Sequence, residues 1–288
     1  VPMQEFIEVT GIILKQTPIG EYDRRICLLT KERGKISAFV RGSRKPGSRL
    51  SSATNPFSFG IFKLYEGKSS YNVAEADIQN YFEELRTDYI GAYYGMYFAE
   101  IADYYTRENN DDREMMKLFY QSLRALSVPS LPKELVRYIY EIKSIVVNGE
   151  FPGIPVEMKL ENSTEYALAY IVESSIEKLF TFTVSDSVLV QLRQLAELYR
   201  KKIMDREFKS LEILETHINE SNSNTTRFAV FTRTLKAPDI KDNHFIMLFT
   251  VKNTAGSLGK AISVIGEHGF NLKALKSRPT KELVWDYF

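Results

Sequence analysis

Residues 5–80 alternate between apolar and polar positions in short runs. Over 6–15, Ile7, Val9 and Ile13 oppose Glu8, Thr10 and Ile12, a mostly alternating pattern that predicts a strand. Pro18 and Gly20 predict a turn across 16–22, and further strands are expected at 25–30, 34–41, 57–65 and 71–78. In the third of these, Ile36, Ala38 and Val40 fall on one face and Lys35, Ser37, Phe39 and Arg41 on the other. A short helical turn fits 50–55.

From about Tyr81 the period changes to that of helices. Tyr93, Tyr94, Tyr97, Phe98, Ile101, Tyr104 and Tyr105 recur at helical spacing, and this stripe reads as a tyrosine-rich core. A second helix is expected over 112–127. A third has Ser130 as N-cap and Pro132 in its first turn, and two more are expected near 164–178 and 185–209. After the polar run Asn219 to Thr226, an apolar strand at 245–251, a helix at 257–267 and strands at 272–277 and 283–288 make a βαββ unit.

The expected architecture is therefore multidomain α and β. An N-terminal OB-fold β-barrel over 1–80 follows from five short strands whose closure removes exposed edges. An all-α domain of about five helices covers 81–213, a linker 214–242, and a truncated ferredoxin-like βαββ segment 243–288.

Charge adds a focus to this picture. The chain of 288 residues is nearly neutral, at +1, yet Lys31, Arg33, Lys35, Arg41, Arg44, Lys45 and Arg49 stand against Glu32 alone over 31–50. Gly42, Pro46 and Gly47 place Arg44, Lys45 and Arg49 on what reads as a mobile loop. A positive strand with a positive loop suits a barrel that follows a phosphate backbone. The DNA-binding candidates are Arg24, Lys35, Arg41, Arg44, Lys45, Arg49 and Lys63, with Phe39 as a ring on which bases stack.

Candidate chemistry is sparse. Cys27 is the single cysteine, read as a small buried side chain, and all three histidines, His217, His244 and His268, lie in the last quarter. Ser-His and Cys-His nucleophiles and cysteine-based zinc sites are thereby removed from most of the chain. No catalytic residue, metal or cofactor is expected, nor a signal peptide or membrane span. An intracellular, reducing compartment is the default.

The pieces Gly11-Ile12-Ile13-Leu14-Lys15, Gly20-Glu21-Tyr22-Asp23-Arg24, Gly34-Lys35, Arg41-Gly42, Ser48-Arg49-Leu50, Asn55-Pro56-Phe57 and Lys209-Ser210-Leu211-Glu212 occur in an order and spacing that resemble the RecO family of bacterial recombination mediators over residues 1–214. The resemblance implies an OB-fold backed by a helical domain, binding to single- and double-stranded DNA, and strand annealing. It also implies partnership with RecR and with single-stranded-DNA-binding protein, RecA loading as the indirect consequence, and a cytoplasmic, nucleoid-associated location. Many members of the family hold zinc on four cysteines in the helical domain; 148–164 here contains none, so the metal is not carried over.

The tail resembles a different family. Asn224-Thr225-Thr226-Arg227-Phe228 looks like the motif closing the catalytic part of prephenate dehydratase, with Thr226 at the position that serves catalysis there. Ala255, Gly256, Ser257 and Leu258, with Ser277, Arg278 and Pro279, look like the amino-acid site of that enzyme's ACT domain. The two catalytic lobes that should precede the motif are absent, so dehydratase activity is not expected. The alternatives to a DNA-binding mediator are a phenylalanine-regulated dehydratase fragment and an amino-acid-binding module.

Overall fold

The computed structural model describes residues 6–67, 70–218, 256–269, 279–280 and 286–287. The chain divides into two units, Val1–Ile218 and Asn219–Phe288.

In the first unit the expected five strands close into a barrel of order β1-β2-β3-β5-β4, from β1 (Phe6–Ile19), β2 (Asp23–Thr30), β3 (Gly34–Val40), β4 (Phe59–Glu66) and β5 (Tyr71–Asn80). All pairings are antiparallel except β3 with β5, which run parallel through Ala38↔Tyr71 and Phe39↔Asn72. Alternation fills the interior as read: Val9, Ile13, Ile26, Leu28, Ile36, Ala38, Val40, Phe62 and Leu64 are buried together. The turn expected across 16–22 is shorter, because β1 runs on through Pro18, paired opposite Arg24, to Ile19.

β1 is also buried on its outer face, where Ile12 and Leu14 join Leu29 of β2 in the core of the helical part. The consecutive apolar residues Ile12-Ile13-Leu14 carry that signal in the sequence, since a strand covered on both sides does not alternate. A bulge between Ile13 and Lys15 leaves Leu14 unpaired and turns it toward the helices. Phe57 was expected to open a strand. It instead takes a positive φ of 72°, its N–H bonds to the Ile13 carbonyl, and its buried ring meets Phe119 at 6.3 Å.

The helical part comprises α1 (Leu50–Ala53, within the barrel connection), α2 (Glu83–Thr87), α3 (Tyr89–Tyr105), α4 (Arg113–Leu126), α5 (Lys133–Val147), α6 (Asn162–Glu173), α7 (Asp186–Ile203) and α8 (Lys209–Ile213). The tyrosine stripe of α3 is core: Tyr94, Tyr97, Phe98 and Ile101 are buried, and Tyr93, Tyr104 and Tyr105 pack on them. Ser130 does not cap α5, whose first residue Lys133 follows Pro132 at the cap position. The helix expected to run to Lys209 ends at Ile203, and α8 is separate.

Inside the bundle, Arg137 Nε donates to Glu141 Oε1 at 2.8 Å, and that carboxylate also accepts from the Tyr97 hydroxyl at 2.6 Å. Arg137 Nη2 reaches Glu215 at 3.0 Å. With Leu214 fully buried as well, 214 and 215 belong to the helical packing, where a linker was expected from 214.

In the second unit, α9 (Ser257–Glu267) follows Gly256, which sits at φ 84° in the left-handed region that glycine tolerates. β6 (Pro279–Thr280) and β7 (Asp286–Tyr287) pair antiparallel. The strands expected at 245–251 and 272–277, together with Thr226, Ala255, Ser277 and Arg278, lie outside the described residues.

Candidate nucleic-acid interface

The basic stretch 31–50 separates into two places with different chemistry. The first is the junction between barrel and helices. Gly34, at φ 64°, brings the β2–β3 turn against the loop after α3: a Cβ there would lie 2.3 Å from the Arg107 carbonyl oxygen. Lys35 N–H donates to that carbonyl at 3.0 Å, and Asn109 N–H to the Arg33 carbonyl at 2.9 Å. The Lys35 ammonium then donates to Asp103 of α3 twice, to its carbonyl at 2.6 Å and to Oδ1 at 2.8 Å.

Asp103 is the hub of this junction. Arg206 Nη1 lies 3.4 Å from its Oδ2. Burial works against ionising the carboxyl, but the Lys35 hydrogen bond and charge, with Lys15 and Arg206, outweigh it and hold the group below the ordinary carboxylate range. Cys27 is half-buried here with Sγ 3.9 Å from Asp103 Oδ1; burial first, and then the Asp103 charge, push its thiol up to about 11. Such a thiol is a poor nucleophile at neutral pH.

The second place is the end of the barrel that carries the β1–β2 turn and the loop leading to α1. Asp23 Oδ1 accepts the Gly42 N–H at 2.7 Å, Arg44 N–H donates to the Tyr22 carbonyl at 2.9 Å, and Arg44 Nη1 to the Gly20 carbonyl at 3.1 Å. Further along, Lys45 N–H bonds to the Gly42 carbonyl and Ser48 N–H to that of Lys45. The loop read as mobile is thus tied to the β1–β2 turn and folded on itself. Arg41, Arg44, Lys45 and Arg49 remain exposed, and among the described residues none has a carboxylate within ion-pair distance.

Arg24 stands behind this group. Its Nη1 donates to the Ser51 carbonyl at 2.7 Å and to Thr54 Oγ1 at 3.0 Å, holding the C-terminal end of α1. Partial burial, and after it the Arg44 charge, lower its pKa. Arg24 is thus a positioning residue, committed to the segment that follows the basic loop.

Two other expected members lie elsewhere. Lys35 is committed to Asp103, its side chain only 19% exposed, because the helix that pairs with it arrives 68 residues later in the chain. Lys63 lies on β4 opposite Glu8 in register, 3.8 Å from Glu75, and so faces the acidic side of the barrel. Phe39 faces outward on β3, half-buried, with the Arg25 guanidinium 5.7 Å from its ring centroid. Two residues absent from the sequence-based set join the basic end: Arg25, and Tyr22, whose ring has Lys45 Nζ 5.5 Å from its centroid. Tyr22 could have been found as an aromatic placed in a Gly20-to-Asp23 turn, where packing gives it no reason to be.

Among the described residues, no group of three or more His, Cys, Asp and Glu side chains could hold a metal ion. The segment 150–155 is secured by the Phe151 ring against Tyr199, 5.6 Å between centroids, and by the Tyr199 hydroxyl on the Gly153 carbonyl at 2.9 Å. Those residues do not fit a zinc site. Among the described residues no helix is long and apolar enough to cross a membrane.

Comparison with known proteins agrees with this geometry. The family model described as Recombination protein O N terminal matches residues 3–82, the barrel, and that described as Recombination protein O C terminal matches 86–153 of the helical part. The DNA repair protein RecO of Acetivibrio thermocellus is 28% identical over 244 residues, covering 73% of this chain and 97% of that protein. That of Clostridium perfringens is 25% identical over 239 residues, with the same two coverages. That of Bacillus subtilis is 29% identical over 144 residues, 50% of this chain and 56% of its own length. A closed five-stranded barrel, helices packed on its β1 face, and two matching family models in that order lead to one conclusion: the chain belongs to the recombination protein O (RecO) family.

Proposed function

We propose that this chain is a DNA-binding recombination mediator in DNA repair, acting without bond chemistry of its own. The observation that carries the reading is the tied, exposed cation group Arg41, Arg44, Lys45 and Arg49 at the turn end of the barrel, without a carboxylate in ion-pair distance among the described residues. Cations of this kind release counterions when they meet phosphates, and that release drives binding with little dependence on sequence. Arg24 and Asp23 hold the group in shape before DNA arrives, so little ordering entropy opposes binding.

Annealing follows from the same charge. Two complementary strands repel through their phosphates, and a surface that neutralises one strand lowers the cost of bringing up the second. RecR and single-stranded-DNA-binding protein are the partners that family membership suggests, with RecA loading downstream of their exchange. Supporting the mediator reading, the relatives covering 73% of the chain are named DNA repair proteins.

The test is annealing of complementary oligonucleotides, one labelled, with and without a coating of single-stranded-DNA-binding protein. The full chain is expected to accelerate annealing on both substrates. Arg44→Ala, Lys45→Ala and Arg49→Ala combined are expected to remove most of that acceleration. Unchanged annealing in the triple variant would contradict the assigned surface.

A further inference from the structure

Two outward rings on the basic side of the barrel have a cation laid over them. Tyr22 is 43% exposed beneath Lys45, and Phe39 lies beside Arg25, its direct cross-strand partner in the β2–β3 register. Tyr22, in the turn before β2, and Arg25 on β2 are three residues apart along the chain, so their backbones are separated by at most about 10 Å. Both are fixed from below. The Tyr22 carbonyl accepts Arg44 N–H, and Arg25 Nε donates to Ser37 Oγ at 2.7 Å. Neither ring has a place inside the barrel, which Ile26, Ile36, Ala38 and Val40 fill.

Resting on the phosphate-binding reading above, we infer that Tyr22 and Phe39 are stacking platforms for the bases of single-stranded DNA, covered in the free protein by Lys45 and Arg25. A cation over an exposed ring is held weakly, and a base stacked on the same ring gains more. The displaced ammonium and guanidinium move to the phosphates that flank the stacked bases, so the exchange adds neutralisation. A duplex keeps its base faces inside its own stack and can use only the cations. The rings therefore favour unpaired DNA, although the phosphates are common to both forms.

The acidic side of the barrel supplies the internal contrast. Phe6 is 48% exposed, edge-on to Tyr65 at 6.2 Å and with Lys63 Nζ 5.0 Å from its ring, an equally capped aromatic. Glu75 pairs with that lysine at 3.8 Å and Glu8 lies opposite it in register, whereas Lys45 over Tyr22 has no carboxylate within ion-pair distance among the described residues. Phe6 is not part of the platform.

The experiment uses the full chain with three probes of equal length: oligothymidylate, a base-free sugar-phosphate oligomer, and a duplex. Tyr22→Leu and Phe39→Leu remove the rings while keeping an apolar side chain. Each is expected to weaken oligothymidylate binding about five- to tenfold and the base-free oligomer by less than about twofold, with the salt slope unchanged. Tyr22→Phe keeps the ring and is expected to bind as the parent does. A fluorescent adenine analogue in the strand, quenched by stacking, should recover emission in the leucine variants.

Equal parental affinity for oligothymidylate and the base-free oligomer would overturn the inference, as would loss in Tyr22→Phe as large as in Tyr22→Leu. So would leucine variants that keep both affinity and quenching. In each case a persisting salt slope leaves the phosphate reading standing, whereas salt-independent binding of every probe would remove that reading itself.

Discussion

Lys35 and Lys45 come from one basic stretch, and the structure puts them to opposite uses. At the junction, Lys35 is closed onto Asp103 with two short hydrogen bonds, and Gly34 beside it lets the α3–α4 loop approach within backbone contact. At the turn end, Lys45 and its neighbours are held by their backbones and their exposed side chains have no carboxylate partner among the described residues. Charge density along a sequence therefore says where cations are and not which of them are available. Availability is decided by whether a carboxylate from a distant element is delivered within hydrogen-bond reach. A free cation contributes little to stability and much to association with phosphates; a committed one does the reverse.

Variants can break this contrast at several strengths. The largest expected effect on stability lies at the most deeply committed cation: Arg137→Ala strands Glu141, whose side chain is 0% exposed, and should cost about 3–5 kcal/mol in urea unfolding. Next, Lys35→Ala at the junction should cost roughly 1.5–3 kcal/mol, the range for hydrogen bonds to a charged group. If Lys35→Ala left stability untouched and weakened DNA binding instead, the division between junction and turn end would be wrong.

Acid titration sharpens the same point. The Asp103 carboxyl is held below its ordinary value in the folded chain, so its contribution is complete above the unfolded pKa, near 4, and is lost as pH falls through the lower folded value. Thermal midpoints followed downward from pH 5 should drop more steeply for the parent than for Asp103→Asn, which has no such proton to take up. Parallel curves would remove Asp103 as the hub. The smallest effect is expected from ending the chain after Ile218, at the limit of the first unit: annealing and single-strand affinity should be unchanged within error, measured beside the full chain.

Much of the barrel was legible because alternation is a local signal. Ile36, Ala38 and Val40 face inward as their spacing says, and the α3 tyrosines are core as their helical period says. What local pattern cannot carry is the identity of a partner across the fold. Asp103 meets Lys35 only after the chain has crossed the barrel and entered α3, and Glu8 and Glu75 meet Lys63 only once strand register is set. The loop at 41–49 looked free because Gly and Pro break regular structure. Its anchors are Asp23 and backbone groups of the preceding turn, the part played by the Gly20-to-Arg24 motif. Phe57 was read into a strand for want of any local sign of its positive φ.

The division between committed and available cations is tested most directly by single-stranded DNA affinity measured against salt for three proteins side by side. With four or five phosphates neutralised, the parent should show log K falling against log salt with a slope of about −3 to −4. Replacing Arg44, Lys45 and Arg49 together by alanine should flatten that slope by about 2, while Lys35→Ala should keep the parental slope. A triple variant with the parental slope, or a Lys35→Ala slope flattened as much as that of the triple variant, would contradict the account.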